Sequence, residues 1–449
     1  MSSSILHVKP EEIDSNEKRV AFTVGIIGSG SLGLAHACLF ADAGFKVICA
    51  DPDTMAASQL AKGKTPLAPS EVEAKLKKHL KTGHFSATND IKTAVTQSQI
   101  IAITTSVGID EKNNPDYSDM EHACKLVGAS LHRDSIVIVM SAVGIGAIDS
   151  TVRENVENAS GFKAGLDFAL AYSPSCALDE RFVAATDKTS LAAASTIMEC
   201  ITKKGIKRTN NIKAAELAAL LNAVQQDLND ALANEIAFLC EKAHIDYIET
   251  QKLLTTNTSC NSTTTTPTHE RTREEPYLLL ESAESLNTKL RLTTVARETN
   301  EEVPKHAIAL ASDALRNCGK TLRRARVAIL GISETPNARN PPKKMLNKLV
   351  KMLETKGAKV CVYDPYFSNN ELSEMQKHVR KSLTEAVERV DCLVIITGHD
   401  QFRRLSLKKL KPIMKMPAAI VDLEAVFEPD KVEMEGFIYR GLGRGVWTK

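Results

Sequence analysis

The chain lacks most of the local signatures that would settle a function at once. No C-x-x-C pair occurs among its ten cysteines, at 38, 49, 124, 176, 200, 240, 260, 318, 361 and 392. That excludes a zinc site or a thiol redox motif written over adjacent residues. There is no excess of charge of one sign: 57 Lys+Arg against 55 Asp+Glu leave a net +2, so no nucleic-acid partner is expected. No apolar run approaches the ~18 residues that a bilayer span requires, and no membrane partner is expected. The first twenty residues carry acids where a signal peptide would have its apolar stretch, which points to a cytoplasmic protein. Short-period repeats are absent too.

What is there is ordinary globular composition, 43% hydrophobic and 25% charged. At roughly 100 to 200 residues per domain, 449 residues make a multidomain chain. Residues 1–20 are polar and aperiodic and read as a flexible extension. From 21 to 208, β-rich apolar runs alternate with helical stretches: TVGIIG (23–28), KVICAD (46–51), QIIAITT (99–105), SIVIVMS (135–141) and FALAYS (168–173). Runs apolar on both faces predict a parallel sheet covered by helices on each side. Residues 209–320 are helical, dominated by AAELAALLNAVQQDLNDALANEIAFLCEKA (214–243), which has neither Gly nor Pro and more than one apolar stripe. Residues 321–449 repeat the alternation with RVAILG (326–331), AKVCVYD (358–364), CLVIITG (392–398) and AAIVDL (418–423). The expected architecture is α/β: two Rossmann-like doubly wound domains joined by a long central helix.

The first strand runs into Gly28-Ser29-Gly30-Ser31-Leu32-Gly33 and then into an apolar helix. In G-x-G-x-x-G the first glycine permits the tight turn, the second lets backbone approach a pyrophosphate, and the third allows close helix packing. The next strand ends in Asp51, where a carboxylate can accept from a ribose 2′-hydroxyl and repel a 2′-phosphate. The cofactor expected is therefore NAD in preference to NADP, bound by Gly28, Gly30, Gly33, Asp51 and Thr105. Metal ligands are not expected.

Several strings carry a wider likeness: SGFKAGLDFALAYSP (160–174), ANEIAFLCEKAHID (233–246), EPYLLL (275–280), VCVYDPY (360–366), TGHDQF (397–402) and GFIYRGLGRG (436–445). On these the chain resembles the nucleotide-sugar dehydrogenase family, which includes the UDP-glucose and UDP-N-acetylmannosamine dehydrogenases. The resemblance runs from about residue 22 to 449. It implies an NAD domain, a central helix used for homodimerisation, and a C-terminal domain that binds the nucleotide sugar. It also implies oxidation of a sugar CH2OH by two hydride transfers, with a cysteine thiolate trapping the aldehyde and a lysine and an asparagine steadying the oxyanion.

The residues that would do this chemistry differ. Aligned backward from Glu275-Pro276, the family's cysteine falls on Arg271, and its lysine and asparagine fall on Ala219 and Ala223. A guanidinium with pKa above ~12 is no nucleophile near neutral pH. Asn222 lies a residue away, on another helix face. Asp179, Asp227 and Cys260 are left as candidate catalytic groups, and Arg339 and Tyr439 as candidate substrate contacts. The expected function is an NAD-dependent oxidoreductase acting on a nucleotide sugar or a related polar metabolite, without the thioester-forming four-electron oxidation. The alternative is a catalytically altered or non-enzymatic NAD-binding homologue.

Overall fold

A computed structural model of the chain describes residues 5–65, 70–110, 112–174, 181–253, 274–337, 344–367 and 377–445. The chain divides into two compact units, residues 1–224 with 274–290, and residues 225–273 with 291–449. The architecture is the expected one, α/β with a doubly wound sheet in each unit and one long helix running from the first into the second.

The first unit is built on β1 (Thr23–Ile27), β2 (Lys46–Ala50), β3 (Phe85–Thr88), β4 (Ile100–Ile103), β5 (Ile136–Val139), β6 (Ala169–Tyr172), β7 (Arg181–Ala185) and β8 (Ile206–Thr209). They form one sheet in the order β8-β7-β6-β5-β4-β1-β2-β3. Only the β6–β7 pair is antiparallel. Strands β4 and β5, Ile-Ile-Ala-Ile and Ile-Val-Ile-Val, are buried at every residue, as parallel strands covered on both faces must be. Edge strand β8 is partly exposed and carries Lys207 and Arg208, charges that discourage further strand pairing. Helix α1 (Ser31–Asp42) follows β1, and α2 (Ser118–Gly128) lies between β4 and β5.

The N-terminal segment departs from the sequence reading. Ile5, Val8 and Ile13 are buried in the first unit's core, beside Ile197, Met198 and Ile201. Arg19 fixes the segment by donating from Nε to the Ile13 carbonyl (2.6 Å) and from Nη1 to the Ala43 carbonyl (3.1 Å). Gly44, at φ +94°, lets it approach, since a Cβ there would lie 2.8 Å from Asn16 Cα. Three isolated apolar anchors leave no periodicity in the sequence, so composition suggested an extension where the structure has a packed strap.

Helix α3 (Ile212–Ala243) has 32 residues, about 48 Å at 1.5 Å per residue. It begins in the first unit and ends in the second. Helix α4 (Glu275–Ser285) returns to the first unit, and α5 (Arg291–Asn317) belongs to the second. The second unit's sheet is wholly parallel: β9 (Arg326–Leu330), β10 (Lys359–Tyr363), β11 (Cys392–Ile395), β12 (Ala419–Asp422) and β13 (Ile438–Gly441), in the order β10-β9-β11-β12-β13. One of its faces packs under α5, through Val303, Ala307, Ala311 and Ala314.

Ile13→Ala is expected to destabilise the first unit by about 2–4 kcal/mol, the range for truncating a buried isoleucine. Chemical denaturation followed by circular dichroism checks it; an unchanged midpoint would return the segment to the status of an appendage.

Candidate functional site

The glycine turn closes the carboxyl end of β1. Gly28 sits at φ +106°, and its amide donates to the Ala50 carbonyl at 2.9 Å, tying the turn to β2. A Cβ on Gly33 would lie 2.0 Å from the Gly28 carbonyl oxygen, so α1 can pack this close only with glycine there. Gly30 is different: a Cβ there would meet no heavy atom within 4 Å, so it faces open space. Gly30 is also the N-cap of α1 and brings no side chain to the first-turn amides, which suits an anion at the positive helix end.

Asp51 follows β2 and lies half-buried beside the turn. Its Oδ2 accepts from the Ser29 amide (2.8 Å) and hydroxyl (2.5 Å), and its Oδ1 accepts from the Asp53 amide (3.0 Å). An ionised carboxylate offers about four acceptor positions, so one remains for a ribose hydroxyl. Gly28, Gly30, Asp51 and Thr105 line one cleft of about 280 Å³, with Thr104, Asp119 and His122. Thr104 Oγ1 donates to the Ile27 carbonyl at 2.9 Å, locking the end of β4 against that of β1. Four of the five expected cofactor residues thus share one cleft, Gly33 packing behind it, and they fit a dinucleotide: open space at Gly30, an uncapped helix start and an acid bonded to the turn with an acceptor to spare. Sequence reading missed Asp119 and His122, whose only signal is their i, i+3 spacing on α2.

A second constellation in this unit surrounds the turn at 141–148. Glu216 of α3 is buried and accepts from the Gly146 amide at 2.6 Å and the Ile148 amide at 2.9 Å. Burial pushes its carboxyl up, although those two bonds oppose the shift. The Tyr117 hydroxyl accepts from the Gly144 amide (2.9 Å) and Ser282 Oγ from the Ile145 amide (3.0 Å). Burial pushes the Tyr117 phenol up to about 12. A Cβ on Gly144 would meet the Tyr117 oxygen at 2.6 Å, so any other residue here would displace the phenol.

The remaining candidates fall elsewhere. Asp227 is buried in the second unit, where its Oδ2 lies 3.1 Å from Arg297 Nε and its Oδ1 accepts from Asn300 Nδ2 at 3.0 Å. Asn300 also accepts from Asn234 at 2.9 Å, so Asp227 belongs to a network joining α3 to α5. Tyr439 is buried among Phe402, Phe427 and Phe437, with its hydroxyl 3.5 Å from Asp422 Oδ2. Ala219 is buried on α3, and Asn222 is exposed. Asp179, Cys260, Arg271 and Arg339 lie outside the described residues. Among the described residues no group of three or more His, Cys, Asp or Glu could hold a metal ion, and no helix is long and apolar enough to cross a membrane.

A glycine turn, an acid at the end of β2 and an open cleft between them define a dinucleotide-binding α/β protein. Residues 22–190 match the NAD binding domain of the UDP-glucose/GDP-mannose dehydrogenase family, and residues 328–429 match that family's UDP binding domain. The chain belongs to this family, and NAD is its cofactor. Among similar proteins, the UDP-N-acetyl-D-mannosamine dehydrogenase of Pyrococcus horikoshii is 27% identical over 450 residues, covering 94% of this chain and 99% of that one. A UDP-glucose 6-dehydrogenase of Rhizobium meliloti is 26% identical over 446 residues, with coverage of 94% and 99%. A solved structure of the UDP-D-ManNAc dehydrogenase from Pyrococcus horikoshii superposes with a TM-score of 0.82 at 25% identity, covering 94% of this chain and all of that one.

Asp51→Ala is expected to weaken NAD binding roughly tenfold or more, the loss of a charge-assisted hydrogen bond, and to narrow the preference over NADP. Titration calorimetry with both dinucleotides checks this; unchanged affinity for both would remove Asp51 from the site.

Proposed function

We propose that the protein is an NAD-dependent oxidoreductase acting on a CH–OH group of a nucleotide sugar, by one hydride transfer. The observation that carries the reading is the cleft that brings Gly30, Asp51 and Thr105 together at the carboxyl ends of β1, β2 and β4. NAD held there would supply the acceptor for the hydride of the alcohol carbon. The protein's part is to fix the dinucleotide: the turn holds the pyrophosphate and Asp51 the adenosine ribose. The second unit takes the nucleotide, in keeping with its match to a UDP binding domain. The division of labour we propose is residues 21–208 for coenzyme, 209–320 for helical connection and 321–449 for nucleotide sugar, the first twenty residues preceding them.

The limit to one hydride rests on the sequence: where the resemblance places the cysteine that traps the aldehyde the chain has Arg271, and α3 has lost an oxyanion donor as well. Where the resemblance places a lysine the helix has Ala219, whose methyl group can neither donate to an oxyanion nor carry charge. The relatives bear the names of dehydrogenases, which favours an active enzyme over a non-enzymatic homologue. We also propose a homodimer through α3. Leu221, Leu232 and Leu239 are each about half-exposed or more, and steps of 11 and 7 residues at 100° per residue leave them within about 20° of one line.

Incubation with NAD and a panel of UDP- and GDP-sugars, read by NADH absorbance and product mass, tests the reaction. One NADH per keto sugar is expected. Two NADH per sugar acid would show that the four-electron chemistry is present and the one-hydride limit wrong.

A further inference from the structure

The second sheet changes direction between β9 and β11: β10 lies on one side of that pair, β12 and β13 on the other. In such sheets a ligand lies in the crevice between the loops that leave the two strands flanking the switch. Those loops begin at Gly331 and at Ile396, and a buried pair of side chains joins them. Asp364, just past β10, and His399 have side chains that are 0% exposed. Asp364 Oδ2 accepts from the Ile332 amide (2.7 Å), the Ser333 amide (3.1 Å) and the Ser333 hydroxyl (2.9 Å). His399 Nδ1 accepts from the Asn337 amide at 2.9 Å, so its proton is on Nε2, which donates to Asp364 Oδ2 at 3.0 Å. Two further ties run between the loops, from Thr397 Oγ1 to the Ser333 carbonyl (2.7 Å) and from the Asp400 amide to Asn337 Oδ1 (2.9 Å).

The first loop is therefore held at Ile332 and Ser333 by Asp364, and at Asn337 by His399, while the two anchors are bonded to each other. Glu334, Thr335 and Pro336, between the anchors, are exposed. A loop fixed at both ends has lost its conformational freedom before a ligand arrives, which lowers the entropic cost of binding. We propose that Asp364 and His399 are positioning residues that set the Ile332–Asn337 loop for the nucleotide part of the substrate. This rests on reading the second unit as the nucleotide-binding one.

The test is calorimetric titration of UDP into the full chain and three variants. His399→Gln can still donate to Asp364 but leaves the Asn337 amide without its acceptor. His399→Asn places an oxygen near the Nδ1 position and keeps that acceptor. Asn337→Gly, at an exposed residue with φ +57°, keeps the backbone conformation, removes the Oδ1 tie and adds backbone freedom to the loop. UDP affinity is expected to fall about tenfold in His399→Gln and Asn337→Gly, the worth of one positioned hydrogen bond, and less in His399→Asn. The thermal midpoint of Asn337→Gly should match that of the parent. Parent-like UDP affinity in both His399→Gln and Asn337→Gly overturns the positioning role while the nucleotide reading stands. Failure of the parent chain to bind UDP overturns the nucleotide reading and the positioning role together.

Discussion

Both units depend on one interaction, a carboxylate at the end of a strand that accepts the amide and hydroxyl of a serine from the turn ending the neighbouring strand. In the first unit these are Asp51 and Ser29; in the second, Asp364 and Ser333. The preceding glycines repeat the likeness, with the Gly28 amide bonded to the Ala50 carbonyl and the Gly331 amide to the Tyr363 carbonyl, each at 2.9 Å. What differs is access to the acid. Asp51 is half-buried in an open cleft, whereas Asp364 accepts a histidine and the Tyr366 amide besides, with no exposure at all. The same device leaves an acceptor for a ribose in one unit and locks a loop in the other.

The closed version is held by electrostatics that compensate its burial. Burial pushes the Asp364 carboxyl up, yet the His399 hydrogen bond, with the Ile332 and Tyr366 amides, outweighs that and holds it below its ordinary value. At Asp422 the balance goes the other way, since burial outweighs the Phe427, Val426 and Glu424 amides and pushes that carboxyl up. The Asp227–Arg297 pair is buried to a similar degree between α3 and α5. Removing one partner from such a pair typically costs about 3–5 kcal/mol, because the other is left as an uncompensated charge. That network accounts for a polar residue on α3 that the sequence marks only by position.

The coenzyme turn was readable because its chemistry is local: three glycines and a strand-end acid lie within 24 residues, and each has a backbone reason to be there. The alternation of buried β runs made both sheets readable for the same kind of reason. Pairings across the fold were not. Tyr117 meets Gly144 over 27 residues, His399 meets Asp364 over 35 and Glu216 meets Gly146 over 70, and no spacing rule connects them. Tyr439 and Asp227 looked available because nothing local distinguishes a core tyrosine or a paired aspartate from an exposed one. The N-terminal strap failed to show for a related reason, since three buried side chains among polar neighbours make no periodic pattern.

A single dinucleotide site is expected in the two similar doubly wound units, because the acid of the second is buried and already bonded to a histidine. Titration of NAD into the intact chain measures this directly. Saturation at one NAD per chain is expected. Two sites per chain would contradict the locked reading of Asp364, and no saturable binding would contradict the reading of the cleft beside Asp51.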